Sequence, residues 1–199
     1  MTIDDALPET MNAMVLEAQN QPLRYQQVPV PVISQPDQVL LKVEACGICR
    51  TDLHILDGEL ADPSLPLIPG HQIVGTVVAT ADGVSELKVG DRVGVPWLGY
   101  TDGTCRYCCR GQENLCEHAG FTGYTMDGGY AEYALAHASY CFPLPPHTEA
   151  LAIAPLLCAG LIGFRTWRLA GGESIEKLGI YGFGAAAHIL CQIACWYGQ

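Results

Sequence analysis

Positive charge is scarce in this chain. Ten Lys and Arg stand against 21 Asp and Glu in 199 residues, a formal net charge of −11 at pH 7. The cations are scattered and form no patch, so a nucleic-acid groove, which needs clustered Lys and Arg, is not expected. Apolar runs are also short of membrane length. The uncharged Ala- and Leu-rich stretch from Ala150 to Phe164 is interrupted by Pro155 and falls below the roughly 20 residues that a span requires. The N-terminus Met1-Thr2-Ile3-Asp4-Asp5 is acidic with no apolar segment behind it. Neither a secretory leader nor a membrane partner is therefore expected, and a cytoplasmic location is the default. No internal repeat or low-complexity segment is apparent.

What the chain does have is apolar residues, at 49% of the total, and ten cysteines. The first allows a substantial core. The second permits disulfides or metal ligation. Length, core size and the acidic N-terminus favour metal, because small disulfide scaffolds are secreted and poor in core. Four of the cysteines crowd between Cys105 and Cys116, with Asp102 just before them.

Hydrophobic periodicity gives the outline. The first ten or so residues read as a loose lead-in. Met11 to Val43 alternates strand and turn, broken by Pro22, Pro29, Pro31 and Pro36. Val39, Leu41 and Val43 alternate with Leu40, Lys42 and Glu44, the pattern of a half-buried strand. Arg50 to Leu56 predicts a short helix. Gln72 to Thr80 predicts a strand in which a glycine marks a bulge or close backbone approach. Further strands are expected over Val89 to Val95, Tyr130 to Ala136 and Ser139 to Phe142, and their spacing predicts a barrel-like β domain. The character changes near residue 150. Thr148 is placed to cap a helix with Glu149 in its first turn, and Pro155 and Gly160 are expected to break the helical stretch up to Leu169 into pieces. A short strand at Leu178 to Tyr181, a glycine turn and a helix from about Ala185 to Tyr197 then open a βα unit. The division is residues 1–150 and residues 151–199.

Three segments carry the chemistry: Cys49-Arg50-Thr51-Asp52-Leu53-His54, Gly70-His71-Gln72-Ile73-Val74-Gly75 and Pro155-Leu156-Leu157-Cys158-Ala159-Gly160. Taken singly, each has a plain structural explanation. Cys158 among Leu and Ala could be an inert buried thiol, Asp52 a helix cap, His54 a partly exposed helix histidine. As an ordered set they resemble the zinc-dependent, medium-chain alcohol dehydrogenases. That resemblance implies a mainly β GroES-like catalytic domain over 1–150 and the beginning of a Rossmann dinucleotide-binding domain over 151–199. It implies a catalytic zinc on Cys49, His71 and Cys158, with the fourth tetrahedral position open. It gives Asp52 the task of orienting His71. Thr51 would receive the alcohol's proton and His54 would pass it toward solvent. Cys46, three residues before Cys49, is expected to be a packing residue. Gln72 departs from the family's usual Glu and cannot carry negative charge.

Asp102, Cys105, Cys108 and Cys116 resemble the family's structural-zinc lobe, with Asp102 where a cysteine is usual. Asp and three thiolates carry the same total charge as four thiolates, but the oxygen is harder. Two zinc ions per chain are thus expected. Gly182-Phe183-Gly184-Ala185-Ala186-Ala187 fits G-x-G-x-x-A, so Gly182, Gly184 and Ala187 are candidate contacts to NAD or NADP. The acidic residue that separates NAD from NADP falls about 20 residues further on, past Gln199. A small primary or secondary alcohol, or the matching aldehyde, is the expected substrate, and a full-length relative is expected to be a homo-oligomer. A zinc-binding module without turnover is the alternative, because most of the parallel sheet is missing. A lone βα unit also predicts exposed apolar surface around Ile189, Ile193 and Trp196.

Overall fold

The computed structural model describes residues 7–199. The acidic N-terminus and most of the expected lead-in lie outside the described residues. Three antiparallel assemblies make up the β part. Strands β1 (Thr10–Val15) and β2 (Arg24–Pro29) pair with each other. A five-stranded sheet runs in the order β8-β3-β4-β5-β9. Its strands are β3 (Gln38–Cys46), β4 (Ile73–Thr80), β5 (Arg92–Val95), β8 (Tyr133–His137) and β9 (Phe142–Pro143). A small pair, β6 (Leu98–Tyr100) with β7 (Gly120–Phe121), leads into and out of the cysteine-rich lobe.

The first half of β3, Val39 to Leu41, is buried on both faces, where alternation predicted one; Lys42 and Glu44 further along are exposed, as predicted. Val39 and Leu41 join Ile73, Val77, Val93, Val95, Ala134 and Ala136 in one core cluster. Leu40 points the other way, into a second cluster with Met11, Ala13, Val15 and Ile68, because β1 covers that face. Each of the larger of these side chains contributes about 1.5–3 kcal/mol by leaving water. The predicted glycine effect in β4 is present. Gly75 lies opposite Val43, next to a register shift, and a Cβ there would come within 2.7 Å of the Lys42 carbonyl oxygen.

The antiparallel pairing of β3 with β4 does more than build the core. Cys46 at the end of β3 is in register with Ile73 at the start of β4. The residues just after β3 and just before β4 therefore share one end of the sheet. Helix α1 (Arg50–Leu56) begins there, as predicted, with Cys49 at its N-cap.

The helical part consists of α2 (Ala150–Ile153), a 3-10 turn over Ala154–Leu157, α3 (Ala159–Ala170) and α4 (Ala185–Trp196). Several expectations need correction here. Glu149, not Thr148, is the N-cap of α2, and it makes no capping bond with its side chain. Thr148 is occupied elsewhere: its hydroxyl donates to the Pro145 carbonyl at 2.9 Å and its own carbonyl accepts from Arg92. The break before α3 falls at Cys158 (φ −129°, ψ −74°), while Gly160 sits inside the helix. Ser139 to Phe142 is mostly a 3-10 turn, Ala138–Tyr140, and only Phe142 reaches β9. Leu178 to Tyr181 is not a strand, because among the described residues nothing pairs with it. Of the apolar residues expected to be exposed, Trp196 is, at 85%. Ile189 and Ile193 are instead half-buried, since α4 packs on α3, where a Cβ at Gly163 would meet the Ala186 carbonyl at 2.9 Å. Exposed apolar area also extends along α3 through Leu161, Ile162 and Phe164.

Candidate metal centres

Cys49, His71 and Cys158 each bring one ligand atom to within 4.8 Å of the others. Three different devices place them. Cys49 is held as an N-cap whose Sγ accepts from the Thr51 amide at 3.3 Å. His71 is fully buried, two residues ahead of β4, with its ring edge against Trp97 at 5.1 Å between centroids. Cys158 is anchored by its neighbours: Leu157 and Ala154 pack on Val74, and Leu157 covers Gly94 of β5.

Asp52 ties the first two together, and it is 98% buried. Its Oδ2 accepts from the Cys49 amide at 2.8 Å and completes the cap. Its Oδ1 lies 3.2 Å from His71 Nδ1, a close ionic contact set off the hydrogen-bond axis. Capping and orientation are thus one residue's two tasks, served by separate oxygens. Because Nδ1 faces Asp52, Nε2 faces the sulfurs and stands 3.3 Å from Cys49 Sγ.

The electrostatics of the cluster are strongly polarised. The Cys158 thiol, hydrogen-bonded to Cys49, holds the Cys49 sulfur far down, to about 3, against the opposing effect of burial; His71 and Thr51 add to the effect. Cys158 is pushed up by that same bond and by burial. Burial acts to lower His71, but Asp52 and Cys49 outweigh it and raise the imidazole to about 9. Burial acts to raise Asp52, and His71 with the Cys49 amide holds it below the ordinary carboxylate range.

The second constellation is built from turns. Asp102, Cys105, Cys108 and Cys116 bring their ligand atoms within 4.8 Å of one another. Single 3-10 turns at Cys108–Arg110 and Glu113–Leu115 bend the chain back, and Gly111 supplies the left-handed residue between them (φ 68°). Asp102 Oδ1 accepts from the Thr104 and Cys105 amides, each at 2.9 Å. The Cys116 sulfur accepts from the amides of Asp102 at 3.5 Å and His118 at 3.4 Å. Those Asp102 contacts, with the Cys105 amide foremost, hold its carboxyl well below the usual range.

Both donor sets suit zinc. A tetrahedral ion with bonds of about 2.3 Å to sulfur and about 2.0–2.1 Å to nitrogen or oxygen needs ligand atoms roughly 3.3–3.8 Å apart. Atoms confined within 4.8 Å meet that need with small adjustment. The first set offers three donors and leaves a position free; the second offers four and closes.

Residues 35–146 match the alcohol dehydrogenase GroES-like domain. The chain belongs to that family. An alcohol dehydrogenase of Geobacillus stearothermophilus is 45% identical over 185 residues, covering 92% of this chain and 54% of the relative. Among solved structures, acetophenone reductase from Geotrichum candidum in complex with NAD superposes with a TM-score of 0.85 at 33% identity. That match covers 98% of this chain and 57% of the solved one. The enzyme CAD from Helicobacter pylori, complexed with NADP(H), gives a TM-score of 0.86 at 25% identity, covering 95% of this chain and 57% of the other. The chain spans about half the length of the curated relatives it matches.

Within this family member the remaining predicted residues are placed unevenly. Thr51 and His54 sit on α1, three residues apart and so on neighbouring turns. His54 Nδ1 contacts the Glu59 carboxylate, a partner that sequence reading missed because Glu59 lies beyond the helix end. Gly182 adopts φ +84° and Gly184 is the N-cap of α4, with Ala187 in that helix's first turn. A Cβ at Gly182 or Gly184 would meet nothing within 4 Å. Cys46 packs against the core, as expected, and burial pushes its thiol up to about 12. Cys109 stands outside the second cluster, exposed, with its thiol on the Thr104 carbonyl. Gln72 is 98% buried, and among the described residues its Nε2 has no hydrogen-bond partner. All ten cysteines are free thiols.

Proposed function

We propose that this chain supplies the metal-holding part of a zinc-dependent oxidoreductase that interconverts an alcohol and an aldehyde or ketone, exchanging hydride with NAD or NADP. The observation that carries the proposal is the meeting of Cys49, His71 and Cys158 at one point, with Asp52 buried behind His71. The solved relatives bound to NAD and to NADP(H) support a nicotinamide dinucleotide without choosing between the two.

Cys49, His71 and Cys158 would hold the catalytic zinc, and Asp102, Cys105, Cys108 and Cys116 the structural one. Zinc at the three-donor site would supply Lewis acidity at its open position. Asp52 keeps the proton of neutral His71 on Nδ1, leaving Nε2 free to ligate. The Thr51 hydroxyl, two residues past Cys49 on α1, would accept the alcohol's proton while passing its own on toward His54. His54 carries it outward, with the Glu59 carboxylate fixing the ring. Gly182 and Gly184 would let the turn come close to the dinucleotide's pyrophosphate, and the α4 N-terminus with Ala187 in its first turn would present amides to it.

A second proposal, a zinc module without turnover, is favoured by one feature: Leu178 to Tyr181 has no neighbouring strand among the described residues. One set of measurements on the 199-residue chain separates the two. Zinc content is measured by plasma mass spectrometry, dinucleotide binding by calorimetry, and reduction of NAD and NADP with small primary and secondary alcohols by absorbance. Two zinc ions with dinucleotide binding and reduction support the oxidoreductase. Two zinc ions with neither support the module. A chain that takes up no zinc defeats both.

A further inference from the structure

The second cluster contains a side chain that the metal sequence pattern does not include. His118 lies two residues past Cys116, and its Nδ1 is 2.7 Å from Asp102 Oδ2. Asp102 Oδ1 already accepts two backbone N–H groups, which occupy both of its lone-pair directions. Oδ2 is therefore the only oxygen with a direction left for a metal, and the imidazole fixes how that oxygen is presented. The His118 amide also donates to the Cys116 sulfur, as the Asp102 amide does, so one short segment braces two ligands from opposite ends of the lobe.

We propose that His118 is a positioning residue for the second zinc: its Nδ1–H donates to Asp102 Oδ2 and makes the carboxylate a one-oxygen ligand of fixed direction. A thiolate at that position would need no such help, since a sulfur has no second atom to compete for the ion. A free carboxylate can swing between one- and two-oxygen binding, and the cost of fixing it would otherwise fall on metal affinity. The proposal deepens the assignment of Asp102, Cys105, Cys108 and Cys116 as a zinc site, and it rests on that assignment.

The test is a comparison of metal affinities in the full chain. Zinc binding is measured by competition with a chromophoric chelator, and cadmium-113 NMR separates a site of three sulfurs and one oxygen from one of two sulfurs and one nitrogen. The retained signal of the Cys49, His71 and Cys158 site reports folding in every variant. His118→Ala is expected to weaken the second site by about 10–100-fold, the usual effect of losing a group that orients a ligand. His118→Asn, whose amide nitrogen falls near Nδ1, should recover most of that loss. In the Asp102→Cys background, His118→Ala should change affinity less than about threefold, well below the loss in the native background. The proposal is overturned if His118→Ala costs nothing, or if it costs as much in the Asp102→Cys background as in the native one, which marks a structural effect. It is also overturned if Asp102→Ala keeps native affinity, which makes the imidazole itself the ligand. If the unsubstituted chain binds no metal at the second site, the zinc assignment fails before His118 is reached.

Discussion

The two oxygens of Asp52 have different partners, and replacing one of them separates their effects. In Asp52→Asn a single oxygen remains. If it stays on the Cys49 amide, 2.8 Å away in the native chain, the new amide nitrogen faces His71 Nδ1. Two donors cannot face each other in a buried site, so Nδ1 gives up its proton and Nε2 takes it. Nε2 is the atom that faces the sulfurs, and a protonated Nε2 cannot ligate. If instead the amide turns over, its nitrogen meets the Cys49 N–H and the cap of α1 is lost. The first arrangement costs less, because a cap is worth about 1 kcal/mol and the second leaves a buried N–H unpaired as well, at about 1–3 kcal/mol. Zinc affinity at the first site should then fall about 10–100-fold, or about 1.4–2.7 kcal/mol. The second site should be unchanged.

The assay is zinc competition against a chromophoric chelator, fitted to two sites, with Asp52→Ala as companion. Asp52→Ala removes the cap too, so it should lose a further ~1 kcal/mol of folding stability in urea. First-site affinity in Asp52→Asn within about twofold of the native value would refute the reasoning, since His71 would then be oriented without the carboxylate.

Four further outcomes follow from the structure. His71 is raised from an ordinary 6.5 to about 9, so its contribution to the stability of the zinc-stripped chain is complete below pH 6.5 and is lost as pH rises through about 9; urea midpoints across that range, set against His71→Gln, check the sign. Zinc must displace protons from both His71 and Cys158 but not from the already ionised Cys49, so first-site binding at pH 7 should release about two protons, measured by calorimetry in buffers of different ionisation enthalpy. Leu41→Ala empties a fully buried position in the main core and should cost about 2–5 kcal/mol, whereas Gly128→Ala drives a Cβ to 2.7 Å from the Pro69 carbonyl and should cost about 1–3 kcal/mol while also weakening first-site zinc, because Pro69 and Gly70 position His71; urea denaturation and the same chelator competition check both.

Most local features were legible in the sequence; of the long-range ones, only the meeting of Cys49, His71 and Cys158 was, and the family resemblance supplied it. Helix α1, the glycine in β4 and the lobe of Asp102 to Cys116 are short-range patterns, and each is present. The burial of Leu40 was missed because its cover, β1, is distant in the chain and alternation says nothing about a second layer. Leu178 to Tyr181 has strand composition but no partner among the described residues, and a strand exists only through its pairing. Thr148 has the chemistry of a cap, yet Arg92 reaches its carbonyl from β5, a competition that no local pattern reveals. Glu59 and His118 were missed for a related reason. Each completes a site from just past the segment that defines it, where a turn sets the geometry and no repeat marks the spacing.

The arrangement of ligands also explains why the third segment had to come from so far along the chain. Antiparallel pairing of β3 with β4 brings Cys49 and His71 to one sheet end at no cost beyond the pairing itself. Two donors from that end fill only half of a tetrahedral shell. Cys158 approaches from the helical part, and what brings it there is apolar: Ala154 and Leu157 bury against Val74, with Leu157 filling the space that Gly94 leaves open. The 3-10 turn ends at Leu157 and α3 begins at Ala159, so Cys158 occupies the one residue between two rigid pieces. A metal held there joins the β part to helices α3 and α4. Its affinity must therefore depend on the packing of Leu157 as well as on the three donors, which makes the site a property of the interface between the two parts and not of either alone.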